Sequence, residues 1–171
     1  MALSYSEPMF TSIETKSDIT HLVVMAREIW SEYFSSIFDS EILLKLIEGA
    51  QSRSVISSQI KDGYQYFFII RDGEKIGYFA YKLDHTKDEL FLSKIYIYSN
   101  HRGEGVGRKV LSHLERIGHN SGISKIVLTV YHGNKGSIRA YEHWGFSSLG
   151  LIKRDFGNGL EFEDIKMEKL I

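Results

Sequence analysis

Apolar residues recur along this chain with two periods, and the change from one to the other marks its elements. Met9 to Ile13 reads as a short first strand. Ser17 or Asp18 can cap a helix whose apolar face is Ile19, Leu22, Val23, Ala26, Ile29, Trp30 and Tyr33. A second helix runs near Asp39 to Ala50 through Ile42, Leu43, Leu46 and Ile47, and Ser52 to Lys61 forms a third. Tyr64 to Arg71 and Lys75 to Leu83 flank Asp72-Gly73, the dipeptide of a two-residue hairpin turn. Glu89 to Tyr98 is a further strand and Gly107 to His119 a helix. Lys125 to Tyr131 is an unbroken apolar run, as in a strand covered on both faces. Ser137 to Trp144 is a short helix, and Phe146 to Lys153 and Glu161 to Leu170 are two last strands around Gly157-Asn158-Gly159.

The order is therefore β-α-α-α-β-β-β-α-β-α-β-β. Hairpins at both ends imply antiparallel pairs. The β-α-β crossover in the middle sets Glu89–Tyr98 and Lys125–Tyr131 side by side and parallel. The expected class is α/β, a mixed and mostly antiparallel sheet of six to seven strands with one central parallel pair and helices on both faces. At 171 residues, with no linker, repeat or low-complexity tract, residues 1–171 read as one domain.

Composition narrows the function classes. A net charge of −1 gives no reason to expect bulk nucleic-acid or anionic-membrane binding. The absence of cysteine removes disulfides, thiolate metal sites and a cysteine nucleophile. The first residues carry neither a basic start nor an apolar core, so no signal peptide is expected. No apolar run approaches the ~18–20 residues that span a bilayer. A cytoplasmic enzyme or binding module fits.

The chemistry concentrates in two stretches. In Ile95-Tyr96-Ile97-Tyr98-Ser99-Asn100-His101-Arg102-Gly103-Glu104-Gly105-Val106-Gly107 a strand enters a glycine loop and a helix follows at once. The first N–H groups of a helix lack intrahelical partners and the helix dipole is positive there, so the loop predicts a phosphorylated ligand. Arg102, Arg108 and Lys109 add positive charge. A plain glycine-rich turn is the alternative. The loop is not a Walker A, because no Gly-Lys-Ser/Thr follows, and its spacing is not that of the dinucleotide fingerprint. The second stretch is Asn134-Lys135-Gly136-Ser137-Ile138-Arg139-Ala140-Tyr141-Glu142-His143-Trp144-Gly145-Phe146. Ile138, Tyr141 and Trp144 share a helical face, and taken alone Tyr141 reads first as an amphipathic core aromatic, the usual fate of a lone tyrosine. His113, His119, His132 and His143 form no zinc pattern, so no metal is expected. No Gly-x-Ser-x-Gly elbow is present, which argues against a serine hydrolase.

Together the two stretches resemble the GCN5-related N-acetyltransferase (GNAT) superfamily. Arg102-Gly103-Glu104-Gly105-Val106-Gly107 matches that family's R/Q-x-x-G-x-G/A signature. Asn134, Ser137, Tyr141 and Gly145-Phe146 match its downstream one. Leu92-Ser93-Lys94-Ile95-Tyr96-Ile97 and the ending Asp155-Phe156-Gly157-Asn158-Gly159 with Glu163-Asp164-Ile165-Lys166-Met167-Glu168-Lys169 are similar to PaiA-type polyamine acetyltransferases. Tyr131-His132-Gly133 stands where relatives often have Asn-Lys.

The resemblance implies acetyl-CoA as cosubstrate, held between two splayed parallel strands with a bulge in the one ending at Tyr98. Backbone groups of Ile95, Tyr96 and Ile97 would bond the pantetheine, as an added strand would. The diphosphate would sit on the amides of Gly103, Glu104, Gly105, Val106, Gly107 and Arg108, with Arg102 beside it. Asn134 and Ser137 would touch the pantetheine or phosphate arm. A backbone N–H near Ile95 or Tyr96 would stabilise the carbonyl oxygen as an amine attacks the thioester directly. Tyr141 would be the general acid, and it also counts among the cofactor contacts. Glu89 is the first candidate for the base, against the alternatives of a solvated strand-end charge and a bound water. Trp30, Tyr33 and Phe34, with Glu32 and Phe38 nearby, would line a pocket for a primary amine, either a small polyamine-like molecule or a protein amine. Two other readings stay open, a non-catalytic acyl-CoA sensor on the same fold and a phosphate-binding module of another fold. A homodimer through the free edges of the last hairpin is also open.

Overall fold

Most helices of this chain begin where a side-chain oxygen receives a backbone N–H of the first turn. The computed structural model describes residues 6–156 and 159–171, so Gly157 and Asn158 of the expected last turn lie outside the described residues. β1 (Met9–Ser12) leads into α1 (Lys16–Phe34), α2 (Ser40–Gln51) and α3 (Arg53–Lys61). The cap of α1 is Thr15, not Ser17 or Asp18. Its hydroxyl accepts from the Asp18 N–H at 3.1 Å, and the Asp18 carboxylate accepts from the Thr15 N–H at 3.0 Å. This reciprocal capping box uses Asp18 as the third helical residue and moves the start upstream. Asp39 and Ser52 cap α2 and α3 in the simpler way. α1 buries Ile19, Leu22, Met25, Ala26, Ile29, Trp30 and Phe34. Met25 and Phe34 thus take the places expected for Val23 and Tyr33, which are half-buried.

The remaining elements are β2 (Gln65–Arg71), β3 (Glu74–Asp84), β4 (Glu89–Ile97), α4 (Val106–Asn120), β5 (Lys125–Tyr131), α5 (Lys135–His143), β6 (Ser147–Asp155) and β7 (Glu161–Leu170). The strands form a seven-stranded sheet in the order β1-β2-β3-β4-β5-β7-β6. β4 and β5 are parallel, in register from Glu89↔Lys125 to Leu92↔Leu128. β1 with β2, β5 with β7, and β6 with β7 are antiparallel. This is the mixed α/β sheet that the element order implied.

The chain divides into two compact units. One takes the chain up to Ala80 and again Lys94–Lys109; the other takes Tyr81–Ser93 and Val110–Ile171. In the first, the inner face of α1 packs with Ile13, Ile56, Tyr66, Phe68, Tyr78 and Ala80. The tyrosines of the central hairpin are core residues here. The Tyr66 hydroxyl donates to Gln59 Oε1, and the buried Tyr78 hydroxyl to Gln51 Oε1 at 3.1 Å. In the second unit Ile126, Val127, Leu128 and Val130 of β5 are buried, as its apolar run required. β6 is an edge strand and exposes Leu149, Leu151 and Ile152. Asp164 of β7 is buried with Arg154 Nε 2.8 Å from its Oδ2, and burial pushes its carboxyl above the usual range.

Candidate functional site

β4 ends at Ile97 and a short 3₁₀ turn over Ser99–His101 leads into the glycine loop. Gly103 and Gly105 adopt φ of 76° and 78°. That is the left-handed region, where a side chain would be strained, and the space where each Cβ would stand is open. The Lys109 N–H closes the first helical bond of α4 onto the Gly105 carbonyl at 3.1 Å. The N–H groups of the first turn of α4 therefore point out of the helix toward the loop, and left-handed glycines in the approach give the concave backbone that receives anions.

The loop is tied down by side chains of its own unit. The Arg102 Nε–H donates to the Ile97 carbonyl at 2.8 Å, and its Nη2 lies 3.8 Å from Glu32 of α1. The guanidinium carbon stands 4.9 Å over the Tyr33 ring. Arg102 is thus a strut between the loop and α1. The Ser99 N–H and hydroxyl both donate to Glu32, and the Tyr98 hydroxyl donates to Glu28. On the other side, Glu104 is paired with buried Arg71 at the end of β2, and Arg71 Nη2 also donates to His101 Nδ1 at 2.7 Å. Lys109 reaches Glu7 at 2.8 Å between two exposed side chains.

The expected acceptor aromatics share this unit. Trp30 and Phe34 are buried, with ring centroids 5.1 Å apart, and Trp30 lies 5.3 Å from Tyr96 of β4. Tyr33 is half-buried, its ring 4.9 Å from that of Phe34. Ile95, Tyr96 and Ile97 run beside β3, where Gly77 lets the Tyr96 carbonyl approach.

The second unit holds the other constellation. Asn134 caps α5, its side chain accepting from the Ser137 N–H at 3.2 Å, so the helix begins at Lys135 and not at Ser137. The matched Asn and Ser therefore form the local cap. A Cβ on Gly133 would stand 2.4 Å from the Tyr131 ring, so the bare backbone of Gly133 leaves room for that ring in this turn. Tyr141 is half-buried against Trp144 and Phe146, at 5.8 and 5.7 Å between ring centroids. Glu89 lies opposite Lys125, at the N-terminal end of β5, whereas α5 follows its C-terminal end. A seven-residue strand is roughly 20 Å long, so Glu89 and the start of α5 are not brought together. Among the described residues no group of three His, Asp or Glu side chains is arranged to hold a metal, and no helix is long and apolar enough to cross a membrane.

Sequence reasoning missed Arg71 and Glu28. A lone arginine closing an apolar strand carries no pattern of its own, and Glu28 reads as one more solvated helix position.

The fold and the glycine loop define a class, and comparison with known proteins gives the same one. Residues 23–146 match the acetyltransferase (GNAT) family, and the chain belongs to it. It is similar to streptothricin acetyltransferase of Streptomyces lavendulae, 25% identical over 103 residues that cover 60% of this chain and 54% of the relative. It is also similar to thialysine N-epsilon-acetyltransferase of Mus musculus, 30% identical over 77 residues covering 45% of each. The matched stretches thus span about half the length of these relatives. Its fold is that of the PaiA N-acetyltransferase from Thermoplasma acidophilum, solved in complex with coenzyme A, with TM-score 0.75 and 21% identity over 97% of this chain and 100% of that one.

Proposed function

We propose that the protein transfers an acetyl group from acetyl-CoA to a primary amine by direct attack. The observation that carries this reading is the glycine loop. Left-handed Gly103 and Gly105 lead into the first turn of α4 within the Arg102–Gly107 signature of a GNAT chain. That donor set fits a diphosphate, which needs several N–H groups converging on a small volume and no metal. Coenzyme A, when bound, supplies the thioester whose carbonyl the amine attacks.

The chain's own residues then have separable tasks. The amides of Gly103 to Arg108 receive the diphosphate, and the backbone of Ile95, Tyr96 and Ile97 the pantetheine amides. Asn134 and Ser137 hold the turn that starts α5, and α5 carries Tyr141. The Tyr141 hydroxyl donates its proton to the departing thiolate, since a phenol near pKa ~10 and a thiol near ~8.5 are close enough for transfer in a dry site. Glu89 is the weaker assignment, because it aligns with the other end of β5. A water held by backbone carbonyls serves better as the base. The amine is a small cationic one, received by Tyr33 at the rim and by Trp30 and Phe34 beneath. A mouse relative named for thialysine and a Streptomyces relative named for streptothricin both support a small amine over a protein one.

Free-thiol release from acetyl-CoA, measured with polyamines, lysine analogues, amino acids and lysine peptides, tests the reading. Release that depends on one class of small amine is the expected outcome. Coenzyme A binding with no release for any amine would turn the assignment toward an acyl-CoA sensor, and no binding at all would remove it.

A further inference from the structure

Arg71 ends β2 with a side chain only 3% exposed. A guanidinium is never neutral in a protein, so such burial requires fixed acceptors. Two acceptors that it holds lie at the glycine loop and in the turn that leads into it. One is the carboxylate of Glu104, between the two left-handed glycines; the other is Nδ1 of His101, at 2.7 Å. Arginine offers only donors, so His101 Nδ1 is the acceptor of that bond. One buried cation therefore grips the chain just before the glycine turn and again inside it.

Two features of the loop need such a grip. Among the described residues the space at the Cβ positions of Gly103 and Gly105 is open, so neither residue has a side chain packed there to anchor the loop. Glycine also has the most conformational freedom to lose. Glu104 poses the second difficulty, since a carboxylate in an anion-binding turn repels the anion unless its charge is neutralised.

We propose that Arg71 is a positioning residue for cosubstrate binding. It neutralises Glu104 and, through Glu104 and His101, fixes the backbone N–H groups of residues 103–107 for a diphosphate. The proposal rests on reading the loop as the coenzyme A site.

The test compares the affinity of the full-length protein for coenzyme A and for pantetheine, which lacks the diphosphate. Arg71→Met should raise the Kd for coenzyme A on the order of ten-fold to a hundred-fold, the usual scale for misplacing a binding group. The coenzyme A to pantetheine affinity ratio should fall by the same factor. Adding Glu104→Gln to Arg71→Met should restore part of the affinity, because the unmasked carboxylate is gone. A merely structural role moves both ligands together and gives no such restoration. If the methionine variant does not fold, Arg71→Lys keeps the charge without the fork and should shift the ratio the same way by less. An unchanged ratio, or no restoration in the double variant, would overturn the proposal while the loop assignment stands. Failure of the unmodified protein to bind coenzyme A would instead overturn the functional reading, with no variant needed.

Discussion

Removing one oxygen from Tyr141 separates its two roles. Its ring packs against Trp144 and Phe146, and its carbonyl accepts the N–H groups of Trp144 and Phe146, both at 3.0 Å. Phenylalanine keeps every one of these contacts, so α5 and its turn should stay as they are. What it loses is the proton for the leaving thiolate. Tyr141→Phe should therefore lower kcat by about 10²–10⁴, the range of a general acid, and leave the Kd for coenzyme A within about two-fold. Steady-state kinetics and equilibrium binding on one preparation check both halves. Full turnover would remove Tyr141 as the acid. A parallel loss of turnover and affinity would make it a binding residue instead. Arg102 shows how much of such a role a sequence can carry. Its place in the signature is legible, but a positive charge beside a glycine loop reads as an anion ligand. Its strut to Ile97, Glu32 and Tyr33 depends on residues up to 70 positions away.

The elements of the sheet set the limits on what can change around the site. Gly77 of β3 is the tightest of these limits. A Cβ there would stand 2.4 Å from the Tyr96 carbonyl oxygen and 3.0 Å from Ile97 Cα. Both are backbone atoms that cannot rotate away, so an added methyl must push β4 at the segment proposed to bond pantetheine. Gly77→Ala should destabilise the protein by about 1–3 kcal/mol, the cost of overpacking a well-packed interior. It should also raise the Kd for coenzyme A. Urea unfolding gives the first quantity, and amide chemical shifts at residues 95–97 locate the disturbance. Wild-type stability with unmoved shifts would show that β3 does not constrain β4 there. Nothing in the sequence marks Gly77, because its neighbour across the sheet is set by strand pairing and not by spacing along the chain. By contrast β5 is legible in the sequence, since Ile126, Val127, Leu128 and Val130 form a β-branched apolar stretch too short for a helix and closed by turn residues. The starts of α1 and α5 lie two to three residues upstream of the expected ones for a shared reason. A run of adjacent polar residues such as Thr15, Lys16, Ser17 and Asp18 offers several caps, and only the closed ring of hydrogen bonds selects one.

At the scale of the whole molecule the ionisable groups bound the pH range over which the fold persists. On the acid side, Asp84 is held down to about 2 by the Thr86 hydroxyl and by Lys87. Asp18 is lowered by Thr15 and Asp88 by Ser124. Each of these favours the folded state above the ordinary value of 3.8 and loses that contribution as pH falls through its folded value. Asp164 has the opposite sign, because burial raises it. The alkaline side is set by tyrosines. Burial pushes Tyr66, Tyr78 and Tyr81 above the ordinary 10.0, and Tyr98 rises through burial and through its bond to Glu28. In the unfolded chain these phenols ionise near 10.0, whereas in the folded chain they keep their protons. Above that pH the unfolded state binds fewer protons, so stability falls as pH rises. The contribution is whole below 10.0 and disappears toward the folded values. Base titration should therefore show part of the tyrosinate absorbance appearing late and in step with the loss of circular dichroism. Tyr66→Phe, which removes one of the raised phenols, should make the decline of stability above pH 10 shallower. If all the tyrosines titrate together near 10.0 while the dichroism holds, the phenols are not protected by burial and the alkaline limit has another origin.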